Sequence, residues 1–177
     1  LKQTEILKTY PFRIDELTVH DQIRDTGPHT FHRIRCPDWV NILPITSDGK
    51  AILIRQCRVG SMSDVLETPG GVIDEADKDP TITAQRELEE ETGYTSGRLL
   101  FLGKINPNPA IMSNNLHMFL AMNCQPVRNR KHFPDEHELI KVETVPLQDL
   151  DMLVRTGAIG HALCALTIML SKKYWPS

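Results

Sequence analysis

The chain has 177 residues, 40% of them hydrophobic and 24% charged, which fits one globular domain with a sizeable core and excludes a disordered or fibrous protein. The net charge of −3 argues against a domain that holds nucleic acid through bulk positive charge. It leaves anionic phosphate substrates open, because divalent cations can sit between two negative surfaces. Cys36, Cys57, Cys124 and Cys164 are far apart and form no CxxC pair, so neither a disulfide framework nor a cysteine-rich zinc site is expected. They read as small buried hydrophobes in a reducing cytosol. The opening LKQTEILKTY lacks a continuous apolar stretch of the signal-peptide kind. The longest apolar run, 158–170, is broken by Gly160, His161 and Thr167 and is too short to span a bilayer. A cytoplasmic protein without membrane contact is the expectation.

In chain order, the first thirty residues read as peripheral. A strand is expected over 12–19 and a turn at Asp25-Thr26-Gly27-Pro28. Strands are expected over 32–36 and 39–45, divided by Pro37-Asp38. A turn at Ser47-Asp48-Gly49 then leads into a buried strand over 51–54. A loop covers 59–64, and a short strand over 65–68 runs into Pro69-Gly70-Gly71. The strongest helix signal follows. Asp79 suits the N-cap, Pro80 the first helical position, and Gly93 the stop after Glu91. Strands over 99–105 and 116–124 flank the loop Asn106-Pro107-Asn108-Pro109. A polar loop spans 125–135 and holds Arg128-Asn129-Arg130-Lys131, read as solvated rather than as an anion site. A strand over 138–145 and helices over 146–154 and 158–173 complete the chain. This order points to a mixed sheet packed between helices.

The chemistry concentrates on Arg86-Glu87-Leu88-Glu89-Glu90-Glu91-Thr92-Gly93. Residues three and four apart share a helix face, so Glu87 stacks beside Glu90 and Glu91. Ile82, Ala84 and Leu88 are left for packing, and Glu89 points away from the stripe. Like charges at this spacing repel, and anions at a helix C-terminus oppose the macrodipole. The competing reading is a solvated acidic face, since glutamate is a good helix former. A compensating cation is the sharper one, and an all-oxygen set selects Mg2+, Ca2+ or Mn2+ over zinc. The seven histidines show no HxxxH spacing around a glutamate and read as core or surface residues. His117 and the pair Asn114-Asn115 are weaker candidates for substrate contact.

The run GVIDEADKDPTITAQRELEEETGY, residues 71–94, resembles the Nudix box, whose second half matches through Arg86, Glu87, Leu88, Glu90, Glu91, Gly93 and Tyr94. One extra residue lies between Gly71 and Arg86, read as an insertion around Asp77-Lys78. Neighbouring segments resemble the ADP-ribose pyrophosphatase and nucleoside-diphosphate-sugar hydrolase branch. They are Arg55-Gln56-Cys57-Arg58, Glu67-Thr68-Pro69-Gly70-Gly71, Pro109, Glu136-His137-Glu138 and Gly157-Ala158-Ile159.

The resemblance implies an α+β fold of the α/β/α sandwich type, with an N-terminal strand region at 1–37 and the hydrolase domain at 38–177. It implies a homodimer to which the N-terminal strands contribute. The implied metal ligands are the Gly70 carbonyl, Glu87, Glu90, Glu91 and Glu138, holding Mg2+ or Mn2+. The implied catalytic residues are Glu136 as general base from a loop, Glu90 supporting the attacking water, and Arg86 orienting the carboxylates. Arg58, Glu67 and Pro109 would contact substrate. The implied activity is Mg2+-dependent cleavage of the pyrophosphate of ADP-ribose or a related nucleoside diphosphate sugar. The alternatives are another Nudix substrate, such as GDP-mannose, NADH or a nucleoside triphosphate, and a sensor that binds a nucleotide sugar without turnover.

Overall fold

The computed structural model describes residues 2–21, 23, 26–134 and 139–175. The chain divides into two compact units, residues 1–38 with Ile105–Leu116, and Trp39–Lys104 with His117–Ser177.

The first unit is built on an antiparallel three-stranded sheet, β1 (Lys2–Thr9), β2 (Phe12–Asp21) and β3 (Thr26–Arg35), in that spatial order. β1 was not expected from the sequence, because every one of its residues is exposed and no buried stripe marks it. The turn expected at 25–28 is corrected over its described part. Thr26, Gly27 and Pro28 open β3, with Thr26 paired to Asp21. Asp15 lies fully buried on β2 and accepts from Arg33 Nη2 at 3.0 Å, Arg35 Nε at 2.6 Å and Gln3 Nε2 at 3.0 Å. The hydrogen-bonded Arg35 guanidinium, with Arg33, holds the Asp15 carboxyl down at about 2 against the opposing effect of its burial. The loop after residue 105 joins β3 through Ile34 N–H to the Ile111 carbonyl (2.7 Å) and Ser113 N–H to the Ile34 carbonyl (3.2 Å).

The second unit holds β4 (Trp39–Thr46), β5 (Lys50–Arg58), β6 (Ser63–Glu67), β7 (Gly70–Val72), α1 (Pro80–Thr92), β8 (Tyr94–Thr95), β9 (Arg98–Ile105), β10 (Leu116–Pro126), β11 (Lys141–Pro146), α2 (Leu150–Arg155) and α3 (Ala162–Ser171). β9 and β10 begin or end one residue across the division. The main order is β11-β5-β4-β10-β8, with β6 on β5, β7 on β4 and β9 on β10. Alternation along the strands sends side chains to two cores. Val40, Ile42, Ile52, Phe119 and Ala121 pack with Ala84 and Leu88 of α1. Leu43, Ile45, Ala51, Leu53 and Leu120 pack with Leu150 of α2 and Cys164 and Ile168 of α3. Helices thus cover both faces of a mixed sheet, the α+β arrangement that the sequence order implies.

Several boundaries differ from expectation. Pro146 closes β11, opposite Lys50, and a 3-10 turn at Leu147–Asp149 precedes α2. The last helix starts at Ala162 rather than 158. Gly157 takes a left-handed φ of 78°, and Ile159 N–H turns back to the Leu153 carbonyl at 2.9 Å. Ile82 is about half exposed, so Thr83, Ala84 and Leu88 supply the packing instead. No helix among the described residues is long and apolar enough to cross a membrane.

Candidate active site

The helix α1 forms where the sequence signals place it. The Asp79 side chain accepts from Thr81 N–H at 2.7 Å, Pro80 needs no N–H partner, and Gly93 ends the helix in the left-handed region at φ 72°. Leu88 and Ala84, both fully buried, fix which face meets the sheet. That rotation leaves Glu87 and Glu91 at the edge of the core, only 8% and 5% exposed.

Both carboxylates meet β7. Gly70 N–H donates to Glu91 Oε2 at 2.7 Å. A Cβ on Gly71 would stand 2.3 Å from Glu87 Oε1, so this backbone position admits only glycine while the carboxylate stays there. Gly70 is constrained from the other side, where a Cβ would lie 2.3 Å from the Val40 carbonyl of β4. The pair Gly70-Gly71 therefore lets a strand edge and two glutamates occupy one small space.

Arg86 gathers the rest. Its Nη1 lies 3.0 Å from Glu87 Oε1 and 3.0 Å from Glu90 Oε2, and its Nη2 lies 3.2 Å from Asp74 Oδ2. Burial alone would lower the Arg86 pKa, but Glu87, Glu90 and Asp74 outweigh it and raise the value. Asp77, in the stretch with the extra residue, accepts from Thr83 Oγ1 at 2.7 Å and sits 3.8 Å from Arg86. The insertion thus leaves its carboxylate tied to α1.

Arg58 ends β5 and Glu67 ends β6. Arg58 Nη2 meets Glu67 Oε2 at 2.6 Å, while its Nε lies 3.1 Å from Oε1. Burial would lower the Arg58 pKa, but Glu67 and, more weakly, Glu91 raise it, which brings this pair within electrostatic reach of the α1 carboxylates. Gly70, Arg86, Glu87, Glu90 and Glu91 are therefore brought together, with Arg58 and Glu67 beside them. Pro109 belongs to the other compact unit, in an exposed turn closed by Met112 N–H to the Asn108 carbonyl at 2.8 Å. Glu136 and Glu138 lie outside the described residues. His117, on β10, packs its ring 6.3 Å from Phe101.

Two residues read as solvated have other roles. Glu89 accepts from the backbone N–H groups of Lys131 and His132 at 2.6 and 3.3 Å. Those bonds lower its pKa. Arg130 donates to the Glu90 carbonyl in the last turn of α1 and spreads over the Phe133 ring at 4.9 Å. The helix carries no cation of its own in that turn, so the loop supplies one where the dipole is negative. The basic run 128–131 predicted a charged loop, and only the fold reveals that one of its arginines caps the acidic helix.

The side chains gathered on this face of α1, Glu87, Glu90 and Glu91, offer only carboxylate oxygens. More carboxylates converge there than Arg86 can neutralise, and this fits a hard divalent cation.

Residues 37–163 match the model of the NUDIX domain. The chain is 32% identical over 171 residues to the ADP-ribose pyrophosphatase of Bacillus subtilis (strain 168), covering 95% of this chain and 91% of that protein. It is 27% identical over 178 residues to a GDP-mannose pyrophosphatase of Escherichia coli, covering 95% and 92%. A crystal structure described as an ADP compounds hydrolase superposes with a TM-score of 0.84 at 24% identity, covering 98% of this chain and 91% of that one. The chain therefore belongs to the Nudix family, as one of its pyrophosphohydrolases. Enzymes of this family generally use divalent metal ions.

Proposed function

We propose that this protein hydrolyses the pyrophosphate bond of ADP-ribose or a closely related nucleoside diphosphate sugar, with Mg2+ or Mn2+ as cofactor. The reading rests above all on the convergence of Glu87 and Glu91 on the Gly70-Gly71 backbone, where the absence of a Cβ at Gly71 leaves room for the Glu87 carboxylate. Glu87, Glu90, Glu91 and the Gly70 carbonyl would hold the metal, with Glu138 as a further ligand. When bound, the metal supplies neutralisation of the pyrophosphate oxygens and acidification of water.

The protein's own groups do the rest. Arg86 fixes the Glu90 carboxylate by a charge-assisted hydrogen bond and the Glu87 carboxylate by an ion pair. Glu90 orients the attacking water, and Glu136 takes its proton as general base. The water oxygen bonds to one phosphorus while the bridging P–O bond breaks, and the bridging oxygen leaves with the other phosphate. ADP-ribose and water thus yield AMP and ribose 5-phosphate. Arg58, preorganised by Glu67, offers a planar donor fork to a phosphate or the distal ribose. Pro109 would line the substrate from its loop, and the active form would be a homodimer in the cytoplasm.

Similarity to the GDP-mannose pyrophosphatases supports GDP-mannose as the second substrate to test. The deciding experiment incubates the protein and Mg2+ with ADP-ribose, GDP-mannose, NADH and nucleoside triphosphates, and separates the products. Two monophosphates from ADP-ribose at the highest kcat/KM support the proposal. Pyrophosphate release from triphosphates alone, or no turnover of any substrate, refutes it. EDTA must abolish the reaction.

A further inference from the structure

Below the Arg58–Glu67 pair lies a second group of ligating atoms with different chemistry. Among the described residues, Glu67, His161 and Cys164 place one carboxylate oxygen, one imidazole nitrogen and one sulfur within 4.8 Å of one another. His161 Nδ1 is 3.1 Å from Cys164 Sγ and 3.9 Å from Glu67 Oε2. A tetrahedral ion with bonds of about 2.0–2.3 Å spaces its ligand atoms roughly 3.3–3.7 Å apart. The two measured separations straddle that range, and the third lies within 4.8 Å.

The local fold explains the convergence. His161 precedes α3 and makes no side-chain cap to the helix, and Cys164 lies on its first turn facing the sheet. Cys164 and Glu67 are 1% and 3% exposed, while the His161 side chain is 40% exposed and gives an entering ion its path from solvent. Asn41 Nδ2 donates to Cys164 Sγ at 3.6 Å, and the Asn41 oxygen is itself fixed by the Thr68 hydroxyl. Such donors around a sulfur stabilise a thiolate and orient it. Burial raises the Cys164 pKa when no ion is present, so coordination must drive the loss of its proton.

We infer that Glu67, His161 and Cys164 form a binding site for a soft or borderline divalent cation, Zn2+ being the natural occupant. One sulfur, one nitrogen and one oxygen suit Zn2+ and disfavour Mg2+, so this site and the all-oxygen stripe of α1 select different ions. Binding releases the Cys164 proton to solvent, the neutral His161 Nδ1 contributes its lone pair, and Glu67 Oε2 turns to the ion. Glu67 Oε1 keeps its bond to Arg58 Nε. A water completes the fourth position. The site shares Glu67 with the Arg58 pair of the hydrolytic reading, but none of its ligands lies on α1, so its ion binding can be tested separately.

The test uses Co2+ as a spectroscopic stand-in on the reduced, chelator-treated full chain. The expected result is a thiolate-to-cobalt absorption band in the near ultraviolet that saturates at a single ion per chain and is erased by Zn2+. Cys164→Ser should abolish the band, and His161→Gln should weaken binding by about tenfold or more. Cys57→Ser, which removes an exposed thiol, and Glu87→Gln should leave it unchanged. Absence of the band in the folded wild-type chain overturns the inference, as does its survival in Cys164→Ser or its loss in Glu87→Gln. If Cys164→Ser does not fold, His161→Gln decides, and unchanged cobalt affinity there is the contrary result.

Discussion

Two buried ionic clusters in this molecule are built on opposite plans. On β2, one carboxylate, Asp15, is met by two guanidinium groups, Arg33 and Arg35. On α1, one guanidinium, Arg86, is met by Glu87, Glu90 and Asp74, with Glu91 held nearby on a backbone N–H. The first cluster surrounds its carboxylate with donors, and Arg35 also meets Glu5 at 2.9 Å, so charges of both signs alternate within it. The second gathers several carboxylates around one guanidinium at the edge of the core, where burial makes neighbouring like charges costly. On the proposed reading the second cluster is arranged for a cation, whereas the first serves only to tie strands together.

The largest expected effect follows from that imbalance. Glu87→Gln or Glu91→Gln should lower kcat by on the order of 10²-fold or more, with Tm unchanged or raised, because each removes a charge that the metal-free helix tolerates poorly. Steady-state kinetics beside thermal unfolding would check this, and a variant that unfolds without losing specific activity would break the contrast. Gly71→Ala should come next. Its methyl would displace the Glu87 carboxylate, so activity should fall about tenfold or more and recover in part at higher Mg2+. Arg130→Ala should be smaller. It removes the cation over the last turn of α1 and should cost about 1 kcal/mol of stability by urea denaturation. Weakest at neutral pH is the titration of Asp15. Its pKa is depressed in the folded chain, so its stabilisation is present above the ordinary carboxylate range near 4. It is lost as pH falls toward about 2. Acid titration should therefore show a stability loss in that window that Asp15→Asn lacks.

The same contrast explains what the sequence could and could not reveal. α1 was legible at its start to the residue and at its end to within one, Thr92 rather than Glu91, because Asp79, Pro80 and Gly93 act through local backbone chemistry. The carboxylate stripe was legible because helical periodicity places Glu87, Glu90 and Glu91 on one side. The Asp15 cluster was not, since its partners lie 18 and 20 residues away on another strand and no local rule joins them. Glu89 and Arg130 were missed for the same reason. Their contacts, Glu89 with the Lys131 and His132 N–H groups and Arg130 with the Glu90 carbonyl, span about forty residues and depend on how the loop after β10 turns back over the helix. His161 and Cys164 stand three apart, but their link to Glu67 exists only once β6 and α3 are packed together. Ile82 shows the converse, a hydrophobic residue on a legible helix that the sheet leaves half exposed.

The central claim is that the α1 carboxylates exist to hold a doubly charged ion. Titrating Mn2+ into the wild-type chain and a Glu87→Gln/Glu91→Gln double variant, with free ion read by electron paramagnetic resonance, tests it most directly. The account predicts saturable binding by the wild type and loss of that binding in the folded double variant. Equal affinity in the two proteins would contradict it.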